Sequence, residues 1–176
     1  APGQQGAPHV GTFATKDTAA INGYLKRADI KALLPANLTN IRFAWGKTNE
    51  KNPDITDLYA LKGTRDNVAP LSGGVIVDAK DTFDQMGKPA VSMQMNGNGS
   101  RKWEQITGAV SQQGNAIAIV LDNIVYSAPG VSKGAITGGQ SEISGNFTID
   151  ETKDLANILR AGKLPAAAEI VQSEVV

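Results

Sequence analysis

The 176-residue chain carries 17 basic and 17 acidic side chains, which cancel, so charge offers no case for nucleic acid or an anionic membrane surface as a partner. It has no cysteine, which excludes a disulfide framework, a thiolate metal site and a thiol nucleophile together. A chain of this length fits one domain, or a domain with part of a neighbour, and can bury a real core.

Residues 1–14 are rich in Gly, Pro and Gln and read as a flexible lead-in. Thr15 has the character of an N-cap for a helix running to about Ala28, with Ile21, Tyr24, Leu25 and Ala28 on one side. A short apolar turn, Ile30 to Leu34, ends at Pro35. Ile41 to Trp45 alternates like a half-buried strand, with Asp57 to Lys62 as its partner and the polar segment 47–53 as a surface loop. Gly73-Gly74 opens a strand at Val75 to Val77, and Ala90 to Met95 is another alternating strand. Asn96 to Gly99 reads as a turn into a helix from about Ser100 to Val110, burying Trp103, Ile106 and Val110.

The punctuation is densest from Ala116 to Pro165. Ala116 to Leu121 and Ile124 to Tyr126 are strands, and Asp122-Asn123 between them suits the left-handed conformation of a two-residue hairpin turn. Thr148-Ile149-Asp150-Glu151 matches the capping box, in which the Thr hydroxyl and Glu carboxylate each take the other's amide proton. Asp150 and Glu151 lie at the positive end of that helix, with Arg160 and Lys163 near its negative end. Leu155, Ala156, Ile158 and Leu159 form its apolar stripe, Gly162 ends it and Pro165 prevents its continuation. The total is α+β: a mostly antiparallel sheet with about three helices on one side.

Reactive chemistry is sparse in this sequence. His9 is the only histidine and falls in the lead-in, where the sequence supplies no neighbour to orient it as a base. Asp78, Asp81 and Asp84 recur every third residue; a calcium loop needs more oxygen ligands and a central glycine, so the spacing reads as a solvated face on a helical turn. The pairs Gly73-Gly74 and Gly138-Gly139 and the run Gly97 to Gly99 continue into neither GKS/GKT nor GxGxxG, and turns account for them. No serine is followed three residues on by lysine, so that serine-nucleophile pattern is absent. The reading calls for no enzyme activity, no cofactor, no metal and no small-molecule substrate.

The string IAIVLDNIVYSAP, followed by ITGGQSEISGNFTIDETKDLANILRAGKLPAAAEIV, resembles the first periplasmic domain of SecD, found also in fused SecDF. The resemblance extends back through GGVIVDAKDTFDQMGKPAVSMQMNGNGSRKWEQIT, so it covers roughly residues 71–176 and thins out over 1–70. It implies a head subdomain over residues 15–165, inserted into a ferredoxin-like base whose return strand is contributed by 166–176. It also implies an extracytoplasmic, periplasmic domain of an inner-membrane protein that handles unfolded preprotein during proton-gradient-driven export. SecYEG and SecF would then be partners through the full-length protein, and the proton-carrying residues would lie in the membrane, outside this segment. The chain opens at Ala1 without a charged-then-apolar leader and holds no apolar run of bilayer-spanning length, as expected of a segment lying between two membrane helices.

Two sets of residues become candidates under that resemblance. Met86, Met93 and Met95 offer flexible thioethers suited to varied apolar clients, against ordinary core packing; the strand Ala90 to Met95 is also a candidate for pairing with an extended chain. Ala161, Gly162, Lys163, Leu164 and Pro165 lie where head would rejoin base, a candidate hinge against a plain helix cap with a stiff connection. The rivals are a structural spacer that binds nothing and, more distantly, a hydrolase with an Asp or Ser pocket.

Overall fold

The computed structural model describes residues 9–36, 40–48, 52–62, 69–131, 134–161 and 168–173. Its strands are β1 (Gly11–Ala14), β2 (Ile41–Gly46), β3 (Ile55–Lys62), β4 (Leu71–Ser72), β5 (Ile76–Phe83), β6 (Pro89–Met95), β7 (Ala116–Leu121), β8 (Ile124–Ser127), β9 (Gln140–Ser144) and β10 (Ala168–Ser173). The helices are α1 (Thr18–Leu25), the short α2 (Ala28–Ala32), α3 (Gly97–Gln113) and α4 (Ile149–Ala161). This is the expected α+β class, with two sheets among the described residues.

The larger sheet runs β1-β3-β2-β8-β7-β10-β4, and β10 also pairs with β3. Strands β3, β2, β8, β7 and β10 therefore close a ring, which leaves few open edges. Every pairing in it is antiparallel except β2 with β8, which meet in parallel at Trp45↔Ile124 and Gly46↔Val125. Ala44, Leu61, Ala116, Ala118, Val120 and Val125 from four of the ring strands share one core cluster. Small side chains predominate because a narrow closed sheet has little interior volume.

Strand β7 explains its own uninterrupted apolar run. Ala116, Ala118 and Val120 face the ring, while Ile117 and Ile119 enter a second core. A strand buried on both faces has no polar side to alternate with. The turn after it is Asp122-Asn123, both in the left-handed region (φ 48° and 64°), as the hairpin reading requires.

The second core lies between the smaller sheet, β5-β6-β9, and helices α3 and α4. Trp103 and Val110 enter it from α3, and Leu155, Ala156 and Leu159 from α4. The capping box of α4 is formed in both directions: Thr148 N donates to Glu151 Oε2 at 2.8 Å and Glu151 N to Thr148 Oγ1 at 3.2 Å. Helix α3 begins earlier than its apolar stripe suggests, because the Asn96 side chain accepts from Gly99 N at 2.9 Å and caps it.

Three expectations from the N-terminal half change. Residues 11–14 are strand β1, paired with β3 from Gly11↔Leu58 to Ala14↔Ile55, and not lead-in; residues 1–8 lie outside the described residues. The single helix expected from Thr15 is a 3-10 turn, then α1, then α2, because Arg27 is extended (ψ 137°) and interrupts it. Thr15 caps nothing: its hydroxyl donates to Pro53 O at 2.8 Å and so fastens the chain to the start of β3. Third, Asp78 and Asp81 lie on strand β5 and Asp84 in the turn after it, so their spacing is not a helical one.

Candidate polypeptide-binding surface

The methionines separate into two environments. Met93 and Met95 are 1% and 5% exposed, both within the second core, where they pack with Trp103, Val91 and Ile143. Their alternation does place them on one face, but that face is covered by helices, so in this fold they are core residues. Met86 is 79% exposed.

The turn between β5 and β6 holds Met86 out. Asp84 Oδ1 accepts from Met86 N at 2.8 Å and from Lys88 N at 2.9 Å, and Asp84 N donates to Lys88 O at 2.8 Å. Gly87, at φ 74°, supplies the left-handed residue that closes the turn. With its backbone so tied, the tip presents Met86 and the neighbouring Phe83, which is 59% exposed. Phe83 was not singled out from sequence. The available signal was the Asp-x-x-Gly turn directly after it, which ends the strand just where the helix cover stops.

Strand β6 is the middle strand of its sheet, with β5 on one side and β9 on the other. It offers no free edge to an incoming chain, so augmentation at Ala90 to Met95 is ruled out by this topology; the outer strands are β5 and β9. Of the expected hinge, Ala161 is the exposed last residue of α4, and Gly162, Lys163, Leu164 and Pro165 lie outside the described residues.

Exposed apolar side chains also occur elsewhere, Leu33 and Tyr24 foremost. A cleft of about 550 Å³ runs along α3, lined by Arg101, Glu104, Gln105, Gly108, Ala109 and Gln112, with Ala135 opposite. The loop that carries Ala135 is laced to the helix: Ile136 N donates to Thr107 Oγ1 at 2.8 Å and Gly134 N to Ser111 Oγ at 3.1 Å. On β5, the Lys80 ammonium lies 2.9 Å from Asp78 and holds that carboxyl below the ordinary carboxylate range. Among the described residues no group of three His, Cys, Asp or Glu side chains could hold a metal ion, and no helix is long and apolar enough to cross a membrane.

His9 is less isolated than its place in the sequence implies. The pairing of β1 with β3 sets Thr12 opposite Asp57, and His9 Nε2 lies 3.9 Å from Asp57 Oδ1. The Thr12 hydroxyl donates to Asp57 at 2.5 Å, so the carboxylate engages the hydroxyl itself. A partner 48 positions away reaches His9 only through strand pairing, which no local spacing reveals.

Residues 57–166 match the family described as SecDF, P1 head subdomain. Over 171 residues the chain is 40% identical to protein translocase subunit SecD of Rhodothermus marinus, covering 94% of this chain and 26% of that protein. It is 37% identical over 169 residues to the SecD of Magnetococcus marinus, covering 95% and 30% respectively. A crystal structure of SecDF in a super-membrane-facing form superposes with a TM-score of 0.50 at 30% identity, over 81% of this chain and 21% of that one. The chain thus spans 26% to 30% of the length of these curated relatives.

Proposed function

The chain belongs to the SecDF P1 head subdomain family, and from that premise we propose that it is a non-enzymatic, polypeptide-handling domain of a SecD-type translocase subunit. It acts outside the cytoplasm, on the periplasmic side of an inner-membrane protein, where it binds unfolded preprotein as the chain is exported. SecYEG and SecF are its partners through the full-length protein, and coupling to a proton gradient belongs to membrane segments beyond this one.

One observation carries the binding part of this reading. The β5–β6 turn spends a network of main-chain and Asp84 hydrogen bonds on holding Phe83 and Met86 in solvent. An aromatic ring and a flexible thioether kept exposed on a fixed support suit apolar segments of varied sequence. In this reading the head occupies residues 15–165 and β10 belongs to the return strand of the base, laid against β7, β4 and β3. The segment from Ala161 to Pro165 is then the hinge between them.

The test is an NMR titration of the whole chain with an unfolded secretory protein. Localised shifts at Phe83, Met86 and their neighbours are expected. An absence of shifts at high client concentration would favour a spacer that holds the membrane halves apart.

A further inference from the structure

The smaller sheet treats its two outer strands differently. On β5, the main-chain groups of Ala79 and Asp81 point away from β6, as the paired Asp84 N and Lys88 O at the end of the hairpin and the antiparallel alternation require. That edge is guarded. The Arg160 guanidinium donates Nε and Nη2 to Ala79 O, and a bulge between Ile76 and Asp78 distorts the rest. Both are recognised ways of keeping other strands from adding on.

Strand β9 has neither device. Met95 N donates to Gly139 O, which fixes Ser141 and Ile143 as the residues bonded to Met93 and Val91. Gln140, Glu142 and Ser144 therefore aim their N–H and C=O groups outward, and all three are exposed. Among the described residues no hydrogen bond reaches those outward groups. The strand carries no proline and no lysine, and its pairing with β6 is regular throughout.

We propose that β9 is the docking edge for an extended segment of polypeptide, which joins as a fourth strand through the outward groups of Gln140, Glu142 and Ser144. Only an extended chain presents donors and acceptors at the two-residue repeat this edge displays. A second copy of β9 is a poor occupant, since antiparallel pairing in full overlap sets Glu142 directly against Glu142. An unlike chain with a basic or neutral residue opposite Glu142 meets no such repulsion. The inference rests on the polypeptide-handling reading and deepens it: main-chain bonds are indifferent to side-chain sequence, as varied clients demand.

The experiment uses the whole chain and a short unstructured peptide of alternating threonine and valine with a central lysine, beside the same peptide N-methylated on every residue. Addition of the first peptide should slow amide hydrogen exchange at Gln140, Glu142 and Ser144 by about tenfold, with Ala79 and Asp81 unchanged; the N-methylated peptide should bind about tenfold or more weakly. Glu142→Pro removes one outward N–H and none bonded to β6, and should weaken binding similarly. Equal binding of the two peptides, or shifts at Phe83 and Met86 without protection on β9, would overturn the edge and leave polypeptide handling standing. Failure of the chain to bind either this peptide or an unfolded secretory protein would overturn both.

Discussion

Arg160, on the last turn of α4, donates to the carbonyl oxygen of Ala79 on β5 through Nε at 3.1 Å and Nη2 at 2.7 Å, joining residues 81 positions apart. The contact does two things at once. It fastens the helix end to the sheet, and it occupies an edge carbonyl that another strand would otherwise seek. Arg160→Ala should lower stability by about 1 kcal/mol, a modest figure because the side chain is largely exposed. The same variant should show concentration-dependent self-association by sedimentation, whereas Arg160→Lys, which keeps a donor, should associate less.

Two helical glycines make opposite predictions for one substitution. A Cβ on Gly23 of α1 meets nothing within 4 Å, so Gly23→Ala should stabilise by about 0.5–1 kcal/mol through helix propensity. A Cβ on Gly99 of α3 would lie 2.7 Å from Val75 Cβ and 3.1 Å from Met95 Cβ. Overpacking of that kind costs about 1–3 kcal/mol and outweighs propensity, so Gly99→Ala should destabilise. Urea denaturation of the two variants checks both signs.

Tyr59 gives the fold an alkaline limit. Burial first, and then the neighbouring Asp57 carboxylate, raise its phenol above the ordinary tyrosine range. Ionisation is therefore harder in the folded chain than in the unfolded one, whose tyrosines titrate near about pH 10. The stability this represents is whole below that pH and is lost as pH rises through the folded value. Melting temperatures followed from neutral to strongly alkaline pH should fall more steeply for the native chain than for Tyr59→Phe; parallel curves would remove Tyr59 from the account.

What could be read in the sequence was local. The Thr148–Glu151 capping box and the Asp122-Asn123 turn depend on residues a few positions apart, the β2–β3 pair on neighbouring strands whose partners lie 13 to 21 positions apart, and each is present as expected. What escaped depends on pairing at long range. Gly11 to Ala14 has the composition of a loose end and becomes a strand because β3 supplies its ladder. The closure of the ring through β10 and the Asp57 beside His9 have the same origin. The aspartates of β5 were misread because a three-residue spacing imitates a helical face, while a bulge near Asp78 disturbs the alternation that marks a strand. Phe83 shows the limit most clearly: alternation gave the apolar face of Ala90 to Met95, but only the packed helices decide where the face that Phe83 shares with it stops being covered.

Met86 and Met93 turn that limit into a measurement. Both are single thioethers on the same hairpin, yet one is 79% exposed and the other 1%. Met93→Ser removes a core side chain and leaves a hydroxyl among Trp103, Val91 and Ile143, so it should cost about 3 kcal/mol or more. Met86→Ser touches no core contact and should stay within about 0.5 kcal/mol of the native stability. Client binding should divide the other way. Under conditions where both variants are folded, Met86→Ser paired with Phe83→Ser should weaken capture of an unfolded secretory protein, and Met93→Ser should leave it unchanged. If instead Met93→Ser abolishes capture while circular dichroism and amide dispersion stay native, the buried face opens during binding, and the hairpin tip is not the surface that meets the client.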